Sequence, residues 1–200
     1  MATPRRYASE AAYRVGMPPA DSPSDAVSVG RARCDALDIG TFYAILRLRV
    51  DVFVVEQQCP YPELDGLDTR PDTEHWWVEV DSVVVATLRV LNPAGRPRIG
   101  RVATASTARG RGHAATAMRA ALESLDAERA PEVTLEAQAH LVQWYGSFGF
   151  VPTGHTYLED GIPHVSMLRR SRRGSHHDQD RGGGQHNGGD GQLGSHHHGQ

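Results

Sequence analysis

The sequence predicts a mixed α/β fold in which a mostly antiparallel sheet contains one central pair of parallel strands and is flanked by helices. Two observations lead to this fold class. Residues 76–80 and 83–91 are apolar runs separated by Asp81-Ser82, a pattern typical of an antiparallel hairpin. Residues 99–138 then contain the patterns of a strand, a glycine-rich turn, a long helix and a second strand. Such a βαβ unit places its two strands parallel to each other.

The elements before the hairpin follow from their apolar residues and their turn residues. Residues 27–34 are predicted to form a strand, and Asp38 is predicted to cap the helix that follows. Residues 52–57 are apolar enough either to continue that helix or to start a buried turn. Proline, glycine and acidic residues fill positions 59–74, which predicts a loop.

The elements after the hairpin alternate between short apolar runs and helical patterns. The long helix that follows the glycine-rich turn carries Met118, Leu122 and Leu125 at helical intervals and ends at about residue 128. Further strands are predicted at 98–104, 133–138, 153–158 and 164–168, and a short amphipathic helix at 141–148. This order fits one βαβ unit within an antiparallel sheet.

Composition divides the chain into a domain at residues 27–169 and two extensions that are predicted to be disordered. Residues 1–26 are rich in proline, serine, alanine and charge, and residues 170–200 in glycine, histidine, aspartate and arginine. Six of the eleven histidines lie in the second extension, where they could bind a transition metal loosely. We favour a solvating appendage over a metal site.

Charge and apolar content argue against several classes of function. A net charge of −3 gives no electrostatic reason to expect nucleic-acid binding. No stretch approaches the roughly 18 apolar residues of a membrane span, and the first residues lack the apolar segment of an export signal. We therefore expect a cytoplasmic location and no membrane partner. Cys34 and Cys59 are isolated from each other and from histidine pairs, so neither a metal site nor a redox pair is expected.

The glycine-rich turn at residues 109–114 has the composition of a phosphate-binding loop. Gly110 and Gly112 let backbone N–H groups converge, and the first amides of the next helix add partial positive charge. Arg109 and Arg111 supply full charges and forked donors at the rim. The turn is predicted to bind a pyrophosphate. The same residues also fit an ordinary loop that caps a helix.

Two other phosphate-binding loops do not fit this sequence. The chain contains no lysine, so it lacks the loop of nucleotide triphosphatases, which requires one. The G-x-G at Gly110 and Gly112 has no third glycine and lies too late in the chain for a dinucleotide-binding fold. A nucleotide triphosphatase is therefore disfavoured.

A second motif, Y-x-x-x-G-F, begins at Tyr145 and ends at Gly149-Phe150. Together with R-x-x-G-x-A at residues 109–114, it resembles the GNAT superfamily of N-acetyltransferases. The segments at 50–66, 99–102, 137–141 and 159–167 further resemble the ElaA-type branch of that superfamily and occur in the same order. The resemblance covers residues 36–168.

This resemblance implies an enzyme that transfers an acetyl group from acetyl-CoA to an amine. The two central parallel strands are expected to splay apart and to admit the pantetheine arm. The last residues of the first of these strands would pair with pantetheine and polarise the thioester carbonyl, and the amides of the turn would hold the pyrophosphate. The residues expected to bind the cofactor are Val102, Ala103, Thr104, Arg109, Gly110, Arg111, Gly112, His113 and Ala114. No metal ion is expected.

The resemblance also points to candidate catalytic residues. Tyr145 matches the family's general acid, since a tyrosine keeps its proton at neutral pH and can donate it to the departing thiolate. The alternative for Tyr145 is a core aromatic. For the base, the predicted order is Glu56 and then His75. Glu136, His164 and a chain of water molecules are further alternatives.

Three functions remain open from the sequence. The first is an N-acetyltransferase for a small-molecule or peptidic primary amine, attracted by the acidic residues Glu63, Asp65, Asp68, Asp72 and Glu74. The second is a regulator that binds acyl-CoA without turnover. The third is an acyltransferase that uses acyl chains bound to a carrier protein, like the acyl-homoserine lactone synthases, which carry an acid at the position of Glu56. The intact turn argues against the third, because a carrier protein presents no coenzyme A pyrophosphate. A homodimer formed by the late strands is also plausible.

Overall fold

One sheet of eight strands organises residues 26–171, which are the residues that the structure, a computed structural model, describes. In chain order the strands are β1 (Val27–Ala32), β2 (Thr73–Val80), β3 (Val83–Leu91), β4 (Arg98–Thr104), β5 (Glu132–Gln138), β6 (Val151–Pro152), β7 (Tyr157–Glu159) and β8 (Ile162–Arg170). Across the sheet their order is β1-β2-β3-β4-β5-β8-β6, and β7 also pairs with β8.

The direction of the strands confirms the predicted fold class. β4 and β5 run parallel, and the other neighbouring strands that the structure describes run antiparallel. The predicted disordered segments, 1–26 and 170–200, lie outside the described residues except for residues 26, 170 and 171.

The strands are connected by α1 (Ile39–Arg49), α2 (His113–Ala127) and α3 (Val142–Gly146), and a π-helical segment (Val50–Glu56) continues α1. The predicted cap of α1 is confirmed. The Asp38 carboxylate accepts hydrogen bonds from the amides of Gly40 and Thr41 at 2.9 and 3.0 Å. The π-helical segment resolves the ambiguity over residues 52–57: the helix continues, in wider turns, to Glu56.

The observed bounds differ from the predicted ones at several elements, among them β2, β7 and α3. β2 begins at Thr73, three residues early, because its first residues pair with β3 even though their side chains are polar. The predicted strand at 153–158 is wrong in its first four residues. Pro152 ends β6 and Gly154 follows, so regular pairing with β8 resumes only at β7. α3 is shorter than the predicted helix at 141–148.

Helices cover both faces of the sheet. On one face Met118 and Leu122 of α2 are buried together with Leu88 of β3. Residues 86–90 of β3 are all buried, and neighbouring side chains of a strand point to opposite faces. α1, which also contacts β3, therefore covers the other face. The α2 face holds the main apolar core, whereas Arg89 of β3 points toward α1.

The α1 face of the sheet buries an arginine–carboxylate cluster. The guanidinium of Arg49, on α1, is fully buried and donates hydrogen bonds to Glu63 and Asp68, each at 2.5 Å. Arg89 donates to Asp65 and Asp68 at 2.7 to 2.9 Å. We define the cluster as Arg49, Arg89, Arg101, Glu63, Asp65 and Asp68. It fixes the loop after the π-helical segment against the sheet.

This cluster corrects the expectation that the acidic loop attracts a cationic acceptor. Glu63 and Asp68 are buried and paired with arginines of the cluster. Asp72 and Glu74 each form an ion pair with a nearby arginine outside it. The negative charges of the loop are therefore neutralised within the protein and are not available to a ligand.

The cluster predicts an acid-sensitive contribution of Asp65 to stability. Burial alone would raise the pKa of Asp65, but hydrogen bonds from Arg89 and from the Leu67 amide, with the charges of Arg89 and Arg101, lower it to about 2. Because this is below the unfolded value of about 3.9, the contribution is present above that pH and is lost as pH falls toward 2.

We therefore expect Asp65→Asn to be less stable than the wild type at pH 6 and to approach it near pH 2. Thermal unfolding followed from pH 6 to pH 2 measures the difference. Asp35→Asn, at an exposed position with no ion pair among residues 26–171, is the control and should show no such convergence. A stability difference that stays constant with pH would contradict the assignment.

Candidate active site

β4 and β5 separate soon after they begin to pair. Their register contains two residue pairs, Arg98 with Thr134 and Ile99 with Leu135, although the strands continue to Thr104 and Gln138. A cleft of about 180 Å³ opens between them. Its walls include Phe53, Tyr61, Arg101, Glu136, Tyr145 and His164. This separation confirms the expected splay of the parallel pair.

A β-bulge in β4 lies at this cleft. β4 carries one more residue than β3 between their paired ends, and Arg101 has a left-handed φ of +54° there. The Arg101 guanidinium lies 2.8 Å from the Glu63 carboxylate and 3.1 Å from that of Asp65. The arginine–carboxylate cluster therefore holds this strained residue beside the opening.

The glycine-rich turn leads from the end of β4 to the start of α2. Gly110 and Gly112 have φ values of +76° and +82°, and no atom lies within 4 Å of a Cβ built on either. Gly112 is the N-cap of α2 and offers no side chain to the first amides, and the first turn of α2 contains no acidic residue. These free N–H groups, with the helix dipole, can bind an anion.

The two arginines of the turn differ in their surroundings. Arg109 donates to both oxygens of Glu56 at 2.6 and 2.7 Å, and its Nε donates to the Thr104 carbonyl at 3.2 Å. Arg111 is exposed and has no ion pair within residues 26–171. Arg109 thus ties the turn to the π-helical segment, and Arg111 is the cation left available at the rim.

Tyr145 of α3 lines the cleft and is buried against the α2 face of the sheet. Its ring packs edge-on against Trp144 at 4.8 Å and Phe150 at 6.3 Å. The hydroxyl makes no hydrogen bond with the residues that the structure describes. Burial raises the pKa of Tyr145 to about 12, so the phenol keeps its proton.

Comparison with known proteins identifies the family of this chain. A family model described as an acetyltransferase (GNAT) domain matches residues 49–170. This chain belongs to the GNAT family. A UPF0039 protein of Mycobacterium tuberculosis is 47% identical over 138 residues, which are 66% of this chain and 86% of that protein. GNAT acyltransferases use acyl-CoA and act on amine acceptors.

Solved structures agree with this assignment. An acyl-CoA N-acyltransferase from Pseudomonas aeruginosa is 42% identical with a TM-score of 0.68, over 72% of this chain and 99% of that one. Escherichia coli ElaA is 36% identical with a TM-score of 0.69, and the match covers 72% of this chain and 100% of ElaA. This likeness confirms the ElaA-like branch. A coenzyme A-dependent acyl-homoserine lactone synthase matches 74% of this chain and 85% of its own with a TM-score of 0.64. At 18% identity, that likeness shows the fold alone.

In this GNAT domain, the two candidate bases that the sequence analysis ranked first, Glu56 and His75, do not line the cleft. Glu56 is paired with Arg109, whose guanidinium holds the pKa of the Glu56 carboxyl below its ordinary value. His75 is fully buried, with its Nε2 at 2.9 Å from the Asp68 carbonyl and its ring edge-on to Phe42. Burial lowers the pKa of His75. Both side chains are thus engaged by other residues outside the cleft.

The two side-chain alternatives, Glu136 and His164, do line the cleft. The Glu136 carboxylate accepts hydrogen bonds from the hydroxyls of Tyr157 and Ser166, the latter at 2.7 Å. His164 lies opposite Gln138 in the β5–β8 register. The sequence did not single out Tyr157, whose hydroxyl donates to Glu136. The alternation of side chains along β5 and β8 could have indicated part of this arrangement, since it places Glu136, His164 and Ser166 on one face of the sheet.

Within residues 26–171, no group of three or more metal-ligating side chains converges. No helix in that range is long and apolar enough to cross a membrane. Cys34 and Cys59 are free thiols. The histidine-rich segment considered for loose metal binding lies outside the described residues.

Proposed function

We propose that this GNAT domain transfers an acetyl group from acetyl-CoA to a primary amine by direct attack on the thioester. The observation that carries the proposal is the uncapped N-terminus of α2, which follows two left-handed glycines at the end of a strand that has left its parallel neighbour. Pyrophosphate would bind to the amides of residues 110–114. Arg111 would add a charge at the rim, and Arg109 would hold the turn in place.

The pantetheine arm would lie along the part of β4 that has no partner on its β5 side. Backbone groups of Val102, Ala103 and Thr104 would pair with it in the manner of an added strand. An amide aimed at the thioester carbonyl would stabilise the negative charge that develops on its oxygen. A cleft of about 180 Å³ that also receives the end of pantetheine leaves room for a short acyl group. The family model that matches this chain is described as an acetyltransferase domain, which supports acetyl as the acyl group.

Release of free coenzyme A thiol tests the proposed reaction. Acetyl-CoA mixed with the protein and a panel of primary amines should release thiol only when both the protein and an accepted amine are present. Acetyl-CoA should react faster than octanoyl-CoA. Binding of acetyl-CoA without release for any amine would instead support a regulator, and faster reaction of long acyl chains would support the lactone-synthase-like alternative.

Tyr145→Phe tests the role of the tyrosine as general acid. We expect kcat to fall about 10- to 100-fold. This is a small effect for the loss of a general acid, because the thiolate of coenzyme A is a fairly good leaving group. The affinity for acetyl-CoA should not change, since the ring remains. Tyr43→Phe, at an exposed position on α1, is the matched control. A kcat for Tyr145→Phe equal to the wild-type value across the pH range would remove Tyr145 from the mechanism.

A further inference from the structure

One histidine that lines the cleft, His164, belongs neither to the proposed cofactor site nor to the proposed general acid. We propose that His164 is the general base that accepts the proton of the acceptor amine, and that Tyr157 and Glu136 position its ring. The inference rests on the proposed acetyltransferase function and identifies a second catalytic residue for it.

His164 and Tyr145 reach the cleft from opposite faces of the sheet. Tyr145 is buried in the apolar core on the α2 face, together with Val165 and Met167 of β8. Because side chains alternate along a strand, His164 points to the other face, where Glu136 and Ser166 also lie. A thioester between β4 and β5 would therefore have a proton donor on one side and a proton acceptor on the other.

The hydrogen bond of His164 defines which ring nitrogen can act as a base. Its Nδ1 lies 2.9 Å from the Ile162 carbonyl oxygen. A carbonyl can only accept, so Nδ1 carries the proton, and in the neutral ring Nε2 then holds the free lone pair. Nε2 makes no hydrogen bond with residues 26–171 and is not among their fully buried unpaired atoms. It is available to a ligand in the cleft.

Tyr157 and Glu136 fix the orientation of this ring. The Tyr157 ring stacks on His164 with centroids 6.2 Å apart and an angle of 30° between the planes. The Tyr157 hydroxyl donates to the Glu136 carboxylate, which also accepts from Ser166. Because the Tyr157 ring stacks on His164 and its hydroxyl is held by the carboxylate, we assign Glu136 and Tyr157 to positioning and His164 to proton transfer.

The chemical step balances with these groups. The acceptor arrives as an ammonium ion and transfers one proton to Nε2 of His164. Its nitrogen lone pair then forms the C–N bond to the acetyl carbon as the C–S bond breaks and leaves its electron pair on sulfur. Tyr145 protonates that sulfur, and the second proton on nitrogen restores the phenol through solvent. His164 returns its proton to solvent, so the products are an amide, free coenzyme A and one proton.

Two substitutions of His164 separate a base from a structural residue. His164→Asn retains an amide donor for the Ile162 carbonyl and lacks Nε2, so kcat should fall at least about 100-fold. Acetyl-CoA affinity, measured by calorimetry, should stay within about twofold of the wild type. His164→Ala leaves space for imidazole, and imidazole added to the buffer should raise its kcat about tenfold. His155→Asn, at an exposed position outside the cleft, is the control.

Tyr157→Phe tests the positioning role, because it keeps the ring and removes the bond to Glu136. We expect kcat to fall about fivefold in the wild-type background, with acetyl-CoA affinity unchanged. In the His164→Asn background it should have no further effect, because there is no base left to orient. Fully additive losses would show that Tyr157 does not act through His164 and would overturn its assignment.

The outcomes distinguish this inference from the function on which it rests. A wild-type protein that binds acetyl-CoA but releases no thiol with any amine would overturn the acetyltransferase proposal and this inference with it. If the wild type is active and the kcat of His164→Asn stays within about threefold of the wild-type value, the inference alone is overturned. A loss of activity in His164→Ala that imidazole does not restore would make His164 structural and would also overturn it.

Discussion

Gly112→Glu is expected to lower the affinity for coenzyme A at least about 100-fold while the domain stays folded. A carboxylate at the N-cap of α2 would lie over the amides that the pyrophosphate needs. At about 5 Å from one phosphate charge, it costs about 3 kcal/mol at an effective dielectric constant of about 20. Titration calorimetry with coenzyme A measures this change.

Gly95→Glu is the matched control for backbone strain. Gly95 has a φ of +73°, has open space around its Cβ position, and lies in the turn between β3 and β4. Both variants should lose about 1–2 kcal/mol of stability from the left-handed backbone. Only Gly112→Glu should lose coenzyme A. Equal affinities of the two variants would show that the turn does not hold the pyrophosphate.

Arg49→Met is expected to destabilise the domain by about 3–5 kcal/mol. The Arg49 guanidinium is fully buried and is the shared partner of Glu63 and Asp68, which are themselves buried. Its removal leaves two carboxylates in the interior with too few partners, and this costs more than the lost packing. Because a domain is stable by only about 5–15 kcal/mol, the effect is large.

Urea unfolding measures the loss, with Arg47→Met as the control. Arg47 lies two residues earlier on the same helix and is exposed, so its replacement should change stability by less than about 0.5 kcal/mol. Arg49→Met should also weaken acetyl-CoA turnover at temperatures where it remains folded, because the cluster supports Arg101 at the cleft. A loss of less than about 1 kcal/mol would show that the cluster is not a major source of stability.

The parts of the candidate site that could be predicted from the sequence are those that depend on residues close together in the chain. The two glycines of the turn, the helix that follows and the strands on either side lie within one continuous segment, and their spacing alone predicts a βαβ unit. Tyr145 was found through a motif of six residues. Backbone amides at a helix N-terminus need no particular side chain, so the proposed phosphate site could be located from the glycines.

The parts that the sequence did not predict depend on contacts between distant residues. Arg109 and Glu56 are 53 positions apart, and nothing local shows that they pair. The burial of His75 follows from the loop that covers β2, and that loop is held by arginines from α1, β3 and β4. A histidine near a strand and an acid at a helix end look equally suitable as bases until their neighbours are known.

The central claim is that backbone amides ahead of α2 bind the diphosphate of coenzyme A. A crystal structure of the protein soaked with coenzyme A tests it most directly. We expect diphosphate oxygens at about 2.7–3.2 Å from amide nitrogens of residues 110–114, with pantetheine between β4 and β5. Coenzyme A bound elsewhere, or a turn closed by its own side chains, would contradict the account.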